Sequence, residues 1–209
     1  MIDASAITGV VLAGGRGERM GGVDKGLQDF NGVPLAQHAL LRLRPQVGPV
    51  GISANRNLDV YESFGVPVWR DGIDGYPGPL AGMLAALDHC ETPWLVTAPC
   101  DSPDFPPDYV ARLGRAALAQ DADMAVVLAR EEEAPAGSHD SDWRVQPVFC
   151  LLRARLRASL AAYLHGGGRK VQDWAASHHT VQVPFDGPGD RSAFTNANTA
   201  AQLQQLRRA

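Results

Sequence analysis

The stretch ITGVVLAGGRGERMGGVDKG, residues 7–26, decides the fold of this chain. It opens on a short apolar and β-branched run, 7–13, which is the pattern of a buried strand. A glycine-rich loop, 14–26, follows, and its small residues let backbone N–H groups surround an anion. The stretch therefore predicts a buried strand that runs into a loop suited to a polyphosphate.

Beyond this stretch, apolar runs alternate with amphipathic segments through the first two-thirds of the chain. Such alternation predicts an α/β fold, with a Rossmann-like, doubly wound, mostly parallel sheet and helices on both faces. The predicted strands are 7–13, 50–54, 66–69, 94–98, 124–128, 145–152 and 181–185. Helices are predicted from Pro34 and Pro79 and at 58–64, 107–119, 153–164, 171–176 and 198–207. Ligands of such sheets bind at the carboxyl ends of the strands, so the loops there are expected to carry the function.

Composition limits the class of protein. The 209 residues predict one domain, 1–209, and the formal net charge of −4 argues against a nucleic-acid partner. No apolar run approaches the roughly 18 residues of a membrane helix, and the start lacks a signal-peptide pattern. Three cysteines without a Cys-x-x-Cys pair fit reduced thiols. We therefore expect a cytoplasmic protein with no membrane partner.

Positive charge is concentrated in the glycine-rich loop. Arg16, Arg19 and Lys25 lie there, and Lys25 is one of only two lysines in the chain. The Walker pattern is absent, and a Gly-x-Gly-x-x-Gly spacing fails at Met20. A plain glycine-rich turn is the alternative interpretation, but three cations in one loop favour phosphate binding.

Two aspartates follow predicted strands. Asp101 comes after strand 94–98, where a carboxylate could hold Mg²⁺ against phosphate oxygens. The alternative is a helix cap near Pro106; Asp101 is too early for that role, which we assign to Asp104. Asp71 follows strand 66–69, and its carboxylate could accept hydrogen bonds from N1–H and the amine of guanine. It could equally bond only its own turn.

Short polar side chains mark two further loops. Ser53 and Asn55 end strand 50–54 and could contact a ribose or a base. Asn196 and Asn198 lie at alternate positions before the last predicted helix, where two amides could read the edge of a heterocycle. Either Asn198 or Thr199 is expected to be the N-cap of that helix.

Taken together, these segments resemble the molybdenum cofactor guanylyltransferases, and they span nearly the whole chain in that family's order. The matching motifs are Leu12-Ala13-Gly14-Gly15, Arg19-Met20-Gly21, Asp24-Lys25-Gly26, Gly32-x-Pro34-Leu35, Asn55-Arg56, Asp71, Tyr76-Pro77-Gly78-Pro79-Leu80-Ala81-Gly82, Pro99-Cys100-Asp101 and Phe194-x-Asn196-x-Asn198-Thr199. Related cytidylyltransferases look like Leu-Ala-Ala-Gly at the first motif, so Gly14-Gly15 points to guanine.

The resemblance implies a nucleotidyltransferase fold and a reaction of GTP with a molybdopterin-type cofactor, giving the guanine dinucleotide cofactor and pyrophosphate. It implies Mg²⁺, or Mn²⁺ in its place, bound by Asp101. The implied catalytic residues are Lys25, Asp101 and Arg19. The implied nucleotide-binding residues are Leu12, Ala13, Gly14, Gly15, Lys25, Asn55, Asp71 and Asp101. The implied pterin-side residues are Arg169, Lys170, Asn196 and Asn198.

The resemblance also divides the domain into a half for GTP and Mg²⁺, 1–105, and a half for the pterin substrate, 106–209. It implies a monomer that docks transiently with proteins that donate and accept the cofactor. Two departures from the family pattern stand out: Ser53 replaces a usual asparagine, and the segment 138–144 is longer than usual.

Other functions remain open at this point. A cytidylyltransferase or sugar-phosphate nucleotidyltransferase would share the fold, and nucleotide selectivity separates them. A non-catalytic nucleotide-binding regulator or cofactor carrier is the other class, and the presence of both Asp101 and Lys25 disfavours it. A dehydrogenase of the Rossmann type is disfavoured by the missing glycine fingerprint.

Overall fold

A seven-stranded sheet forms the centre of the computed structural model, which describes residues 1–14, 24–72, 78–130, 143–190 and 193–196. Its strands are numbered along the chain together with a separate two-stranded hairpin, β2 and β3. They are Ile7–Leu12 (β1), Asp29–Phe30 (β2), Val33–Pro34 (β3), Val50–Ser53 (β4), Val68–Trp69 (β5), Trp94–Pro99 (β6), Met124–Arg130 (β7), Trp143–Arg153 (β8) and Thr180–Phe185 (β9). The large sheet has the order β5-β4-β1-β6-β8-β7-β9.

All pairs in the large sheet are parallel except those made by β8, which runs antiparallel to both β6 and β7. The prediction of a mostly parallel sheet is confirmed. The carboxyl ends of β1, β4, β5 and β6 therefore meet at one edge, which is where the polar residues of the sequence motifs follow the strands.

Helices cover both faces of the sheet, as predicted. They are Leu35–Leu43 (α1), Leu58–Glu62 (α2), Pro79–Asp88 (α3), Tyr109–Ala119 (α4), Arg157–His165 (α5) and Val171–Ala175 (α6). Successive residues of β1 separate the two hydrophobic layers: Val11 packs in the layer of α1 and α4, and Val10 packs in the layer of α3, α5 and α6. This is the alternation that a strand buried on both faces requires.

Several predicted boundaries need correction. Arg153 still belongs to β8, and α5 begins only at Arg157, after a single 3-10 turn, Ala154–Leu156. Helix α1 begins at Leu35, one residue after Pro34, which belongs to the short hairpin. The hairpin was not predicted, because two-residue strands are too short to show alternation.

The assignment of Asp104 as a helix cap is wrong. Helix α4 begins at Tyr109, its N-cap is Asp108, and no side chain of that cap bonds to the helix. Instead Gln46 accepts a hydrogen bond from the N–H of Val110 at 3.0 Å. A side chain from elsewhere in the fold thus satisfies a backbone donor that a local cap would otherwise satisfy.

Candidate functional site

A cavity of about 470 Å³ opens where the parallel strands end. Residues at the carboxyl ends of β1, β4 and β5 form one side of it, including Gly14, Ser53 and Asp71. Residues of β8 and the described C-terminal segment form the other side, including Gln146 and Asn196. Because β6 lies between these groups in the sheet, Asp101 stands at the middle of the cavity.

Lys25 and Asp101 meet in this cavity. The Lys25 Nζ lies 3.3 Å from Asp101 Oδ2, and both side chains are largely buried, with 25% and 19% exposed. The two residues are far apart in sequence, so the sheet brings together the phosphate-binding cation and the metal-binding carboxylate that the motifs predict. Opposite charges at this depth interact more strongly than they would at the surface.

Asp24 anchors the chain beside Lys25. Its Oδ1 accepts hydrogen bonds from the Gly26 N–H at 3.2 Å and from the Tyr61 hydroxyl at 2.8 Å. Its Oδ2 accepts one from Asn57 Nδ2 at 2.8 Å and lies 3.5 Å from Arg56 Nε. Asp24 is buried, and a buried carboxylate needs such partners. The anchor therefore fixes the turn that carries Lys25 against α2.

Tyr61 and Gly26 show how tightly this anchor is packed. Burial is the main cause that raises the pKa of the Tyr61 hydroxyl, so it stays a hydrogen-bond donor. A Cβ at Gly26 would come within 2.4 Å of the Tyr61 Oη. Glycine is thus required here by the close approach of a side chain. Sequence reasoning quoted Asp24 within a motif but gave it no role, because nothing local reveals its partners on α2.

Asn55 holds Asp71 in place. Asn55 Nδ2 donates to Asp71 Oδ2 at 2.6 Å, and the Asp71 N–H donates to Asn55 Oδ1 at 3.1 Å. Asp71 lines the cavity, whereas Asn55 stands behind it. The predicted guanine-reading carboxylate therefore lines the cavity, and Asn55 contacts it from behind.

Ser53, the departure from the family pattern, is buried against α3. A Cβ at Gly82 would lie 2.8 Å from the Ser53 Oγ, so the helix approaches the strand end very closely. Both residues line the cavity. A serine fits this space beside the helix.

The other side of the cavity is built on buried contacts. Ser102, fully buried, donates a hydrogen bond to Asn196 Oδ1 at 2.6 Å. Because the amide oxygen is taken, the Nδ2 of Asn196 is the group left to donate to a ligand. Sequence reasoning predicted Asn196 here but missed Ser102, which follows Asp101 directly.

Arg169 and Lys170, which the resemblance places on the pterin side, lie elsewhere in the described part of the chain. Arg169 donates to the backbone oxygens of Leu164 and Gly168, at 3.1 Å and 2.7 Å, and Lys170 is the residue before α6. Neither lines the cavity. Gly15, Arg19, Asn198 and the predicted last helix, 198–207, lie outside the described residues, as do most of the glycine-rich loop and the segment 138–142.

Cys100 lines the cavity next to Asp101. Burial, with the neighbouring carboxylate as a second cause, raises the pKa of its thiol well above the usual value. The group therefore stays a neutral thiol and serves as packing. All three cysteines are free.

Asp101 fits the metal that the motifs imply. Within the described ranges, no group of three or more His, Cys, Asp or Glu side chains could hold an ion by itself. Mg²⁺ at nucleotide sites commonly uses only one or two carboxylates together with substrate phosphates. A single aspartate facing the cavity beside a lysine suits that arrangement. None of the described helices is long and apolar enough to cross a membrane.

The sheet order and the cavity at the carboxyl ends of the parallel strands define an α/β protein with a ligand site at that edge. Comparison with known proteins agrees with this class. A family model described as the MobA-like NTP transferase domain matches residues 9–181. The chain belongs to this family and, within it, to the molybdenum cofactor guanylyltransferases, which confirms the resemblance seen in the motifs.

Two relatives illustrate the match. A protein of Acidovorax sp. (strain JS42) named molybdenum cofactor guanylyltransferase is 59% identical over 207 residues, covering 99% of this chain and 97% of the relative. A protein of the same name from Bordetella pertussis (strain Tohama I / ATCC BAA-589 / NCTC 13251) is 53% identical over 206 residues, covering 99% of each.

Solved structures support the fold. Molybdopterin-guanine dinucleotide biosynthesis protein A from Archaeoglobus fulgidus superposes with a TM-score of 0.73 at 22% identity, covering 96% of this chain and 97% of that one. The 4-diphosphocytidyl-2C-methyl-D-erythritol synthase of Anaerococcus prevotii gives a TM-score of 0.75 at 9% identity, covering 99% and 98%. At such low identities, both likenesses are of fold alone.

Proposed function

We propose that this nucleotidyltransferase transfers GMP from GTP to the terminal phosphate of a molybdopterin-type cofactor and releases pyrophosphate. One observation carries the proposal: a single cavity extends from Asp71 on one side, past Lys25 and Asp101, to Gln146 and Asn196 on the other. Such a cavity offers one side to each of two substrates, whose reacting phosphates would meet at the central charged pair.

The nucleophile in this reaction needs little activation. The terminal phosphate of the acceptor is already ionised at pH 7, since the second pKa of a phosphate monoester is about 6. In keeping with this, the described residues that line the cavity include no histidine that could serve as a general base. Catalysis then depends on placing two anions in line and on neutralising charge.

The bonds change in one displacement. An oxygen of the acceptor phosphate bonds to the α-phosphorus of GTP, while the bond from that phosphorus to the oxygen shared with the β-phosphate breaks. The electron pair of the broken bond leaves with pyrophosphate. The Lys25 ammonium, 3.3 Å from Asp101, is placed to donate to phosphate oxygens as their charge increases. Mg²⁺, or Mn²⁺ in its place, bound by Asp101 would supply further positive charge there.

Guanine selection is assigned to Asp71. A carboxylate accepts hydrogen bonds from both N1–H and the exocyclic amine of guanine, which adenine and cytosine do not offer in that arrangement. The Asn55 amide donates a hydrogen bond to the Asp71 carboxylate and accepts one from the Asp71 backbone N–H. Together these two bonds hold the carboxylate in one orientation. Leu12, Ala13 and Gly14 line the same side of the cavity, and we assign their backbone groups to the nucleotide.

The setting we propose follows from the same chemistry. Three free cysteines fit a reducing compartment, so we place the protein in the cytoplasm. We propose that it acts as a monomer and docks transiently with proteins that deliver and receive the cofactor. Arg19, Asn198 and the pair Arg169 and Lys170 remain proposed phosphate and pterin contacts on the strength of the family resemblance.

The test is release of pyrophosphate in a coupled assay under anaerobic conditions. We expect release only when GTP, molybdopterin and Mg²⁺ are all present. GTP labelled at the α-phosphate should pass its label to the pterin product, and GTP labelled at the γ-phosphate should not. Tight GTP binding without any release would instead identify a nucleotide-binding carrier and would overturn the proposal.

A further inference from the structure

Strand β8 departs from regular pairing at the wall of the cavity. Val126 of β7 pairs with Cys150, but the next residue, Val127, pairs with Gln146. The residues 147–149 therefore have no partners on β7 and form a bulge. Bulges beside active sites commonly re-aim a side chain, and this one turns Gln146 and the residues after it toward the cavity.

The bulge is held firmly from behind. The Thr97 hydroxyl on β6 donates a hydrogen bond to the Val148 carbonyl. Phe149 is buried and packs edge-on against Phe194, with ring centroids 4.9 Å apart, and against Tyr109, at 5.6 Å. A hydrogen bond and an aromatic cluster thus hold the bulge that follows Gln146.

Gln146 has an amide available for a ligand. Its side chain is half-buried in the cavity wall, and none of the hydrogen bonds seen among the described residues involves it. A half-buried amide gains free energy from a partner that completes its hydrogen bonds. Gln146 and Asp71 lie on opposite sides of β6 in the sheet. Gln146 is therefore on the side of the cavity assigned to the acceptor substrate.

We propose that Gln146 binds the heterocycle of the pterin substrate, an inference that rests on the proposed function. The pterin ring carries a lactam edge, in which a ring N–H donor lies beside a carbonyl acceptor. A side-chain amide offers an acceptor and a donor at matching spacing, as glutamine and asparagine do with adenine. Asn196, with its oxygen held by Ser102, adds a second donor on this side.

The different side chains on the two sides of the cavity also separate the two heterocycles. Guanine and pterin present similar amino-lactam edges, so the enzyme must keep them in their own halves of the cavity. Asp71 offers only acceptors to one, whereas Gln146 and Asn196 offer uncharged amides to the other. Gln146 thus becomes a determinant of which heterocycle binds beyond Asp101.

The test compares Gln146→Met, which keeps the length but loses both hydrogen bonds, and Gln146→Ala. Gln182→Ala is the matched control, because Gln182 is an exposed glutamine on β9 and does not line the cavity. Binding of molybdopterin alone is measured by anaerobic calorimetry, and KM values for molybdopterin and GTP by initial rates. We expect both Gln146 variants to weaken molybdopterin roughly tenfold, the effect of one or two hydrogen bonds.

The KM for GTP and the thermal midpoint should change little in either Gln146 variant, and Gln182→Ala should match the wild type throughout. Unchanged molybdopterin binding in both Gln146 variants would overturn the inference. So would a wild-type value for Gln146→Met alone, since that would mean shape matters and hydrogen bonds do not. A rise in the KM for GTP instead would move Gln146 to the nucleotide side. Failure of the wild type to transfer GMP would refute the proposed function separately, because calorimetry reads molybdopterin binding without turnover.

Discussion

Among single residues, Lys25 and Asp101 supply the opposite charges at the centre of the proposed site. They are the two side chains of opposite charge that the sheet brings within 3.3 Å inside the cavity. Their positions could be predicted from sequence, because one lies in a glycine-rich loop after β1 and the other comes two residues after β6. Their ion pair could not be predicted, because it depends on β1 and β6 being neighbours.

Removing either charge should stop the chemistry without unfolding the protein. We expect Lys25→Ala and Asp101→Ala to lower kcat about 100- to 1,000-fold, the range seen when one preorganised charge or donor is lost. Lys25→Arg should also lose most activity, since a planar guanidinium does not replace a compact ammonium in this space. Steady-state rates measure the effect, and circular dichroism checks the fold. A near wild-type rate in any of the three would refute that residue's assignment.

A second prediction at this scale concerns nucleotide selectivity. Asn55→Ala removes the hydrogen bond that the Asp71 carboxylate accepts and the one that the Asp71 backbone N–H donates. ITP lacks the exocyclic amine of GTP, so the ratio of kcat/KM for GTP to that for ITP reports how well Asp71 reads guanine. We expect this ratio to fall roughly 3- to 10-fold, in line with one weakened hydrogen bond. A variant that is simply less well folded would lose both rates together and leave the ratio unchanged, which would contradict a positioning role.

At the scale of elements, the strands with continuous apolar runs could be read from the sequence with boundaries close to those observed. The direction of β8 could not, because an apolar run looks the same in a parallel and an antiparallel strand. Its bulge was equally hidden, since the extra residues, 147–149, continue the apolar pattern. The acceptor side of the site depends on both features, which is why Gln146 was missed.

The contact between α2 and the turn that carries Lys25 gives a prediction about stability. Tyr61→Phe removes one hydroxyl and leaves the buried Asp24 carboxylate short of a donor. Hydrogen bonds to charged groups contribute about 1.5–3 kcal/mol, so we expect the free energy of unfolding to fall by that amount. Urea denaturation measures it.

The matched control is Tyr163→Phe. Tyr163 is half-buried, and its hydroxyl donates at 3.2 Å to the Lys170 carbonyl near the surface. We expect this variant to lose less than about 1 kcal/mol, because water replaces that bond. Equal losses of unfolding free energy in the two variants would mean that the hydrogen bond to Asp24 stabilises the fold no more than one near the surface.

At the scale of the whole molecule, the order of the strands places residues from distant parts of the chain on two sides of one cavity. The residues up to Asp101 line one side and the centre, and Gln146, its neighbours on the bulge and Asn196 line the other. The predicted halves, 1–105 and 106–209, and their assignment to GTP and to pterin remain predictions. Composition and alternation were enough to predict the α/β sheet, but the placement of β8 beside β6 required the structure.

The most direct test of the account is a comparison of nucleotides in the full reaction. Initial rates are measured with GTP, CTP, ATP and UTP, each with molybdopterin and Mg²⁺, and the product is identified by its mass. We expect GTP to react far faster than the other three and to yield the pterin–guanine dinucleotide with one pyrophosphate per turnover. A preference for CTP, or nucleotide binding without any dinucleotide product, would contradict the account.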